Sequence, residues 1–104
     1  MSTPEKKVQN KIIDYLKELQ KSGAPLFYER RQAGGASYRK GIPDIYAVYN
    51  GKHIEIEVKQ INGSLSTMQE KYRDYFLSIG IYYICAMSVQ DVKDYFNEHI
   101  LVKF

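Results

Sequence analysis

The chain has 104 residues, 44% hydrophobic and 26% charged, which describes one ordinary globular domain over 1–104 and excludes a disordered or fibrous polypeptide. Its single cysteine excludes an internal disulfide scaffold and a cysteine-rich zinc site, and no apolar run approaches the ~20 residues that span a bilayer. The formal charge of +3 is too small a bias to name a partner by itself.

The first expected element is a helix. Thr3 can cap it, Pro4 suits its first position, and Glu5 sits in the first turn, where the helix dipole favours an acid. Val8, Ile12, Leu16 and Leu19 form its apolar stripe, and Gly23 and Pro25 end it. Glu5 lies within the angular range of that stripe, so it either serves the solvated helix end or points into a polar site. The start MSTPEKK has no apolar segment behind it, which makes a reducing, cytoplasmic compartment the expectation.

Leu26 to Arg31 reads as a strand. Gln32 to Gly41 has no periodicity and three glycines, and reads as a loop. Arg30, Arg31, Arg39 and Lys40 crowd this region, a possible phosphate-contacting patch or simply solvated charge. Tyr38 in the same loop is the tyrosine best placed to meet a nucleotide.

Two alternating runs then flank Asn50-Gly51, the strongest short-range hairpin signal. A two-residue turn puts Ile45 opposite Ile56 and Ala47 opposite Ile54, building one apolar face. On the other face Tyr46 meets Glu55, Val48 meets His53, and Asp44 falls opposite Glu57, with Lys59 two residues further along. His53 reads as a surface residue.

Ser66-Thr67-Met68-Gln69 is a capping-box pattern opening a second helix, with Met68, Tyr72, Tyr75, Phe76 and Ile79 on one stripe and Gly80 closing it. Ile81 to Met87 is an apolar run of strand length, expected to be buried on both faces, with Cys85 as a small core residue. Ser88 can cap a third helix with Val89, Val92 and Phe96 on its buried side. His99 falls in its last turn, and Leu101 to Phe104 can add an edge strand. The order α-β-β-β-α-β-α implies an α/β domain with a mixed central sheet flanked by helices.

Opposed carboxylates repel, so Asp44 against Glu57 costs stability unless something positive lies between them. Lys59 can compensate in part, as in an ordinary surface ladder. A divalent cation does so better, because clustered carboxylate oxygens are hard ligands suited to Mg²⁺ or Mn²⁺. Glu5 and the carbonyl of Val58 can supply further oxygens. Such a site polarises a phosphate and activates water, with Lys59 as base or charge stabiliser.

Pro43-Asp44, twelve residues, then Glu57-Val58-Lys59 resembles the PD-(D/E)XK signature of restriction-endonuclease-like nucleases. Glu5, Gly41-Ile42-Pro43-Asp44 after a glycine-rich loop, Ile56-Glu57-Val58-Lys59 and Leu65-Ser66-Thr67-Met68-Gln69 together resemble the VRR-NUC (virus-type replication-repair nuclease) branch. Thr67 stands where members commonly have proline, and the loop Gly34–Gly41 is longer than the compact form. The resemblance implies an α-β-β-β-α-β core, here with an extra C-terminal helix. It implies that Glu5, Asp44 and Glu57 bind the metal, that Lys59 is the catalytic lysine and that Gln69 belongs to the site, although Gln69 also fits a pure capping role. Short members of that branch are phage and bacterial proteins. The implied activity is cleavage of branched DNA such as four-way (Holliday) junctions, as homodimers. No membrane and no organic cofactor are expected. The alternatives are a non-catalytic nucleic-acid-binding or assembly module, and a nuclease for ordinary duplex or single-stranded DNA.

Overall fold

The computed structural model describes residues 3–32, 35 and 39–102. The elements are α1 (Pro4–Lys21), β1 (Leu26–Arg30), β2 (Ile45–Tyr49), β3 (Lys52–Val58), α2 (Thr67–Ser78), β4 (Tyr82–Ala86) and α3 (Val89–Tyr95), followed by a π-helical turn, Phe96–Ile100. The four strands form one mixed sheet in the order β1-β2-β3-β4, with β3 and β4 parallel and the other pairs antiparallel. This is the α/β, restriction-endonuclease-like order that the sequence implies.

The caps form as their chemistry dictates. The Thr3 hydroxyl accepts from the Lys6 N–H, the Ser66 hydroxyl from Gln69, and the Ser88 hydroxyl from Asp91. Each satisfies a helix N–H that has no partner within the helix. At the hairpin, Asn50 and Gly51 have φ of 46° and 86°, the left-handed pair that a tight turn between twisted strands demands. That turn sets the β2–β3 register as expected: Ile45 pairs with Ile56 and Ala47 with Ile54.

One face of the sheet carries the core. Ile45, Ala47, Ile54, Ile56, Val58 and Ala86 pack against Ile12 and Leu16 of α1, Val92 of α3, and Phe96 and Ile100 of the π-helical turn. α1 and α3 therefore lie on this face. The other face alternates out of phase and receives Asp44, Tyr46, His53, Glu55, Glu57, Tyr83 and Cys85.

Four expectations are corrected. The run Ile81–Met87 is not buried on both faces: β4 is an edge strand of the described sheet, and only Tyr83 and Ala86 within it are buried. Cys85 is half-buried and paired in register with Glu57, on the polar face and outside the core. Leu101 and Val102 form no strand; Lys103 and Phe104 lie outside the described residues. The stripe on α2 is also less buried than its periodicity suggests. Phe76 is covered, while Met68, Tyr75 and Ile79 stay exposed.

Candidate active site

The polar face concentrates its charge at the C-terminal end of β3. Asp44 stands just before β2, and its Oδ2 accepts the Val58 N–H at 2.9 Å. Glu57 is 2% exposed, and its Oε2 lies 3.1 Å from the same N–H. Both carboxylates therefore converge on one backbone amide. Lys59 follows, half-buried, with its N–H extending the β3–β4 pairing to the Ala86 carbonyl at 2.9 Å.

Burial, then a hydrogen bond with the Asp44 carboxyl, then the Asp44 charge push the Glu57 pKa up to about 9, against a smaller opposing pull from Lys59. Among the described residues, Glu57 Oε1 is buried without a hydrogen-bond partner, and so is the Tyr83 hydroxyl on the same face. An unsatisfied buried carboxylate oxygen is costly, and a cation relieves it. The backbone adds a second open acceptor. Continued two residues beyond Ile45–Ile56, the register sets Pro43 opposite Val58. Proline has no N–H, so the Val58 carbonyl receives no ladder bond from it. Two carboxylates, one of them with an unpartnered oxygen, and this carbonyl make a donor set of hard oxygens, which fits Mg²⁺ or Mn²⁺.

Glu5 does not complete that set. Among the described residues no three acidic, histidine or cysteine side chains gather closely enough to hold an ion. α1 packs on the opposite, core face of the sheet. Its first turn nevertheless reaches the right end: Pro4 and Val8 border a cavity of about 300 Å³ with Gln60, Ile61 and Met87, just past the ends of β3 and β4.

Gln69 is in the capping box. Its Oε1 accepts from the Ser66 N–H at 2.8 Å. The helix start it stabilises abuts the segment leading to Asp44. Gly41 has φ of +88°, and a Cβ there would lie 2.7 Å from Met68 Cβ and 3.1 Å from the Gln69 nitrogen. Only glycine permits both that backbone conformation and that approach.

The four cations of the basic cluster separate. Arg30 and Arg31 are neighbours on an extended chain, so they point to opposite faces. Arg30 donates to Asn10 Oδ1 of α1 at 2.7 Å, and Arg31 is bound to Glu55 on the polar face. Arg39 and Lys40 are exposed. Tyr38 lies outside the described residues.

A second cluster escaped the sequence reading. Glu55 is fully buried. It is gripped by the Arg31 guanidinium at 2.6 and 2.9 Å and approached by His53 Nε2 at 2.6 Å, so His53 is more than a surface residue. Arg31 in turn lies 4.8 Å from the Tyr46 ring centre, and the Tyr46 hydroxyl donates to Glu29. The signal was available: a glutamate between two buried isoleucines of a central strand needs a cation.

Compared with known proteins, the chain matches no family model and no curated protein. Its fold matches solved structures. One, named VRR_NUC domain, aligns with a TM-score of 0.73 at 23% identity, over 95% of this chain and 99% of that one. Another, named VRR_NUC domain protein, aligns with a TM-score of 0.72 at 14% identity, over 96% of this chain and 90% of that one. The chain thus has the fold of a VRR-NUC domain across nearly all its length. No helix among the described residues is long and apolar enough to cross a membrane.

Proposed function

We propose that the protein is a metal-dependent DNA endonuclease of the VRR-NUC type, hydrolysing phosphodiesters in branched DNA such as four-way junctions. The observation that carries this reading is the convergence of Asp44 and buried Glu57 on one amide beside Lys59, with a Glu57 oxygen left unpartnered. An ordinary surface ladder would leave both acids solvated and charged. Here one is buried and holds its proton unless a cation replaces it.

In this reading Asp44 and Glu57 hold the ion with the Val58 carbonyl, and Glu5 lends charge from the end of α1. The ion, Mg²⁺ or Mn²⁺, supplies a Lewis acid that polarises the scissile phosphate and acidifies a water. Lys59 extends from the strand residue after Val58, close to the developing charge. Its ammonium stabilises that charge, or its amine takes the water's proton. Gln69 acts through α2, whose start its side chain secures against the Asp44 segment. Arg39, Lys40 and Tyr38 contact the DNA, and Arg30 and Arg31 contribute to the field rather than to direct phosphate contacts.

A second copy of the chain suits this activity, since symmetric nicking of a two-fold substrate needs two sites. The exposed Met68, Tyr75 and Ile79 leave apolar surface on α2 that pairing could cover.

The test is cleavage of a labelled four-way junction with Mg²⁺ or Mn²⁺, beside linear duplex, single-stranded and flapped DNA. Wild type should cut the junction fastest, and Lys59→Ala should lose at least about 100-fold in rate while still binding it. Equal rates for the two proteins would overturn the assignment. Tight junction binding in both EDTA and Mg²⁺ without product would favour a binding module.

A further inference from the structure

Arg31 makes four hydrogen bonds inside the fold, and they share a purpose. Its guanidinium Nη1 donates to Glu55 Oε1 at 2.6 Å and to the Pro43 carbonyl at 2.9 Å, and Nη2 donates to Glu55 Oε2 at 2.9 Å. Its backbone N–H donates to the Asp44 carbonyl at 2.8 Å. The two peptide groups on either side of Asp44 are therefore both held by one residue.

The β2–β3 register explains why this matters. Pro43 falls opposite Val58, so in an unbroken ladder the Pro43 carbonyl would accept the Val58 N–H. The Arg31 guanidinium takes that carbonyl instead. The Val58 N–H is left to the Asp44 side chain, which accepts it at 2.9 Å. The Asp44 carboxylate, already opposite Glu57 in the register, is thereby fixed on the amide that follows Glu57.

Glu55 supplies the grip. It is fully buried, and a buried carboxylate without a cation is strongly destabilising. The Arg31 side chain is only 12% exposed, and the Tyr46 ring lies 4.8 Å from its guanidinium carbon. A fork clamped on a carboxylate has one geometry, so its remaining hydrogen-bonding edge is aimed as well.

We propose that Arg31, clamped by Glu55, is a positioning residue that draws the Pro43 carbonyl out of the β-ladder and so aims Asp44 at the cation site. This rests on the cation reading of Asp44 and Glu57 given above.

Two measurements test it: calorimetric titration with MnCl₂ alone, and amide hydrogen exchange at Val58 by NMR without metal. The decisive variant is Arg31→Met with Glu55→Leu, which removes both charges together and so avoids a lone buried ion. It should stay folded, with Ile54 and Ile56 amides as protected as in wild type. Its Mn²⁺ dissociation constant should rise at least tenfold, and the Val58 N–H should change its exchange rate at least tenfold. Arg31→Lys should fall between, because an ammonium lacks the fork that serves Glu55 and Pro43 together. Wild-type Mn²⁺ affinity and Val58 exchange in the double variant would overturn the proposal. Should that variant unfold, unchanged readings in Arg31→Lys would overturn it. A folded wild type that takes up no Mn²⁺ would instead defeat the cation reading, and Val58 exchange would still decide whether Arg31 aims Asp44.

Discussion

Asp44 Oδ2 and the Val58 nitrogen are 2.9 Å apart, a side chain standing where a strand carbonyl would be. Asp44 is thereby tied to the backbone one residue past Glu57, and the two carboxylates share an amide that can satisfy only part of their need. The energetic consequence falls on Glu57.

In the metal-free protein, Glu57 should oppose folding at neutral and alkaline pH. Its folded pKa of about 9 lies above the ordinary 4.5, so the native state keeps a proton that the unfolded chain releases. Stability is full below pH ~4.5 and is lost as pH rises toward 9. Glu57→Gln keeps the volume and removes the titration. In EDTA at pH 8 it should be more stable than wild type by up to about 5 kcal/mol, at ~1.4 kcal/mol per pH unit above 4.5. Urea denaturation at pH 5 and pH 8 checks this, with the gap expected only at the higher pH. Saturating Mn²⁺ should raise wild-type stability and leave Glu57→Gln unmoved.

Gly41→Ala should weaken the fold and the site together. The backbone is at φ +88°, and the new methyl would meet Met68 Cβ at 2.7 Å. Strain and overlap together should cost about 2–4 kcal/mol. Differential scanning calorimetry should show a drop of roughly 10–30 °C, at about 4–8 °C per kcal/mol for a domain of this size. An unchanged melting temperature would mean that α2 does not press on the Asp44 segment.

The cations should divide by their placement. Arg39→Ala and Lys40→Ala should each lower the slope of log K against log salt for junction binding by about 0.7–0.9 if each neutralises one phosphate. Arg30→Ala should leave that slope unchanged, since its guanidinium is turned to Asn10 on the other side of the sheet. Fluorescence anisotropy titrations across salt concentrations distinguish them.

Cys85 should be a sluggish thiol. Burial, then the charge of Glu57, push its pKa above the ordinary value, so little thiolate forms near neutrality. Alkylation by iodoacetamide at pH 8 should run at least tenfold slower than for free cysteine. Reaction at the free-thiol rate would place Cys85 outside the charged face.

The hairpin was readable because Asn50-Gly51 leaves little choice of turn, and its length alone sets which side chains share a face. From that register the meeting of Asp44 with Glu57 followed. The helix caps were equally local. What did not follow came from three-dimensional partnership. Arg30 and Arg31 look alike in sequence, yet strand alternation sends them to opposite sides, one to Asn10 and one to Glu55. The buried state of Glu55 depends on Arg31, Tyr46 and His53 closing over it from separate parts of the chain, which no local pattern encodes. Cys85 looked like core because its strand is apolar throughout. As the last strand of the described sheet it has a paired neighbour on one side only, and Cys85 falls on its polar face beside Glu57.

The turn at Asn50-Gly51 is six residues of strand from Glu57, about 20 Å at ~3.3 Å per residue. It nonetheless governs which side chains meet Asp44. A slip of β3 by one residue against β2 would carry Glu55, Glu57 and Lys59 to the oily side and bring Ile54, Ile56 and Val58 to face Asp44. A residue added at this exposed tip that only lengthens the loop leaves Tyr49 opposite Lys52 and the acids in place, held there by the pairing of Ile45 with Ile56 and of Ala47 with Ile54.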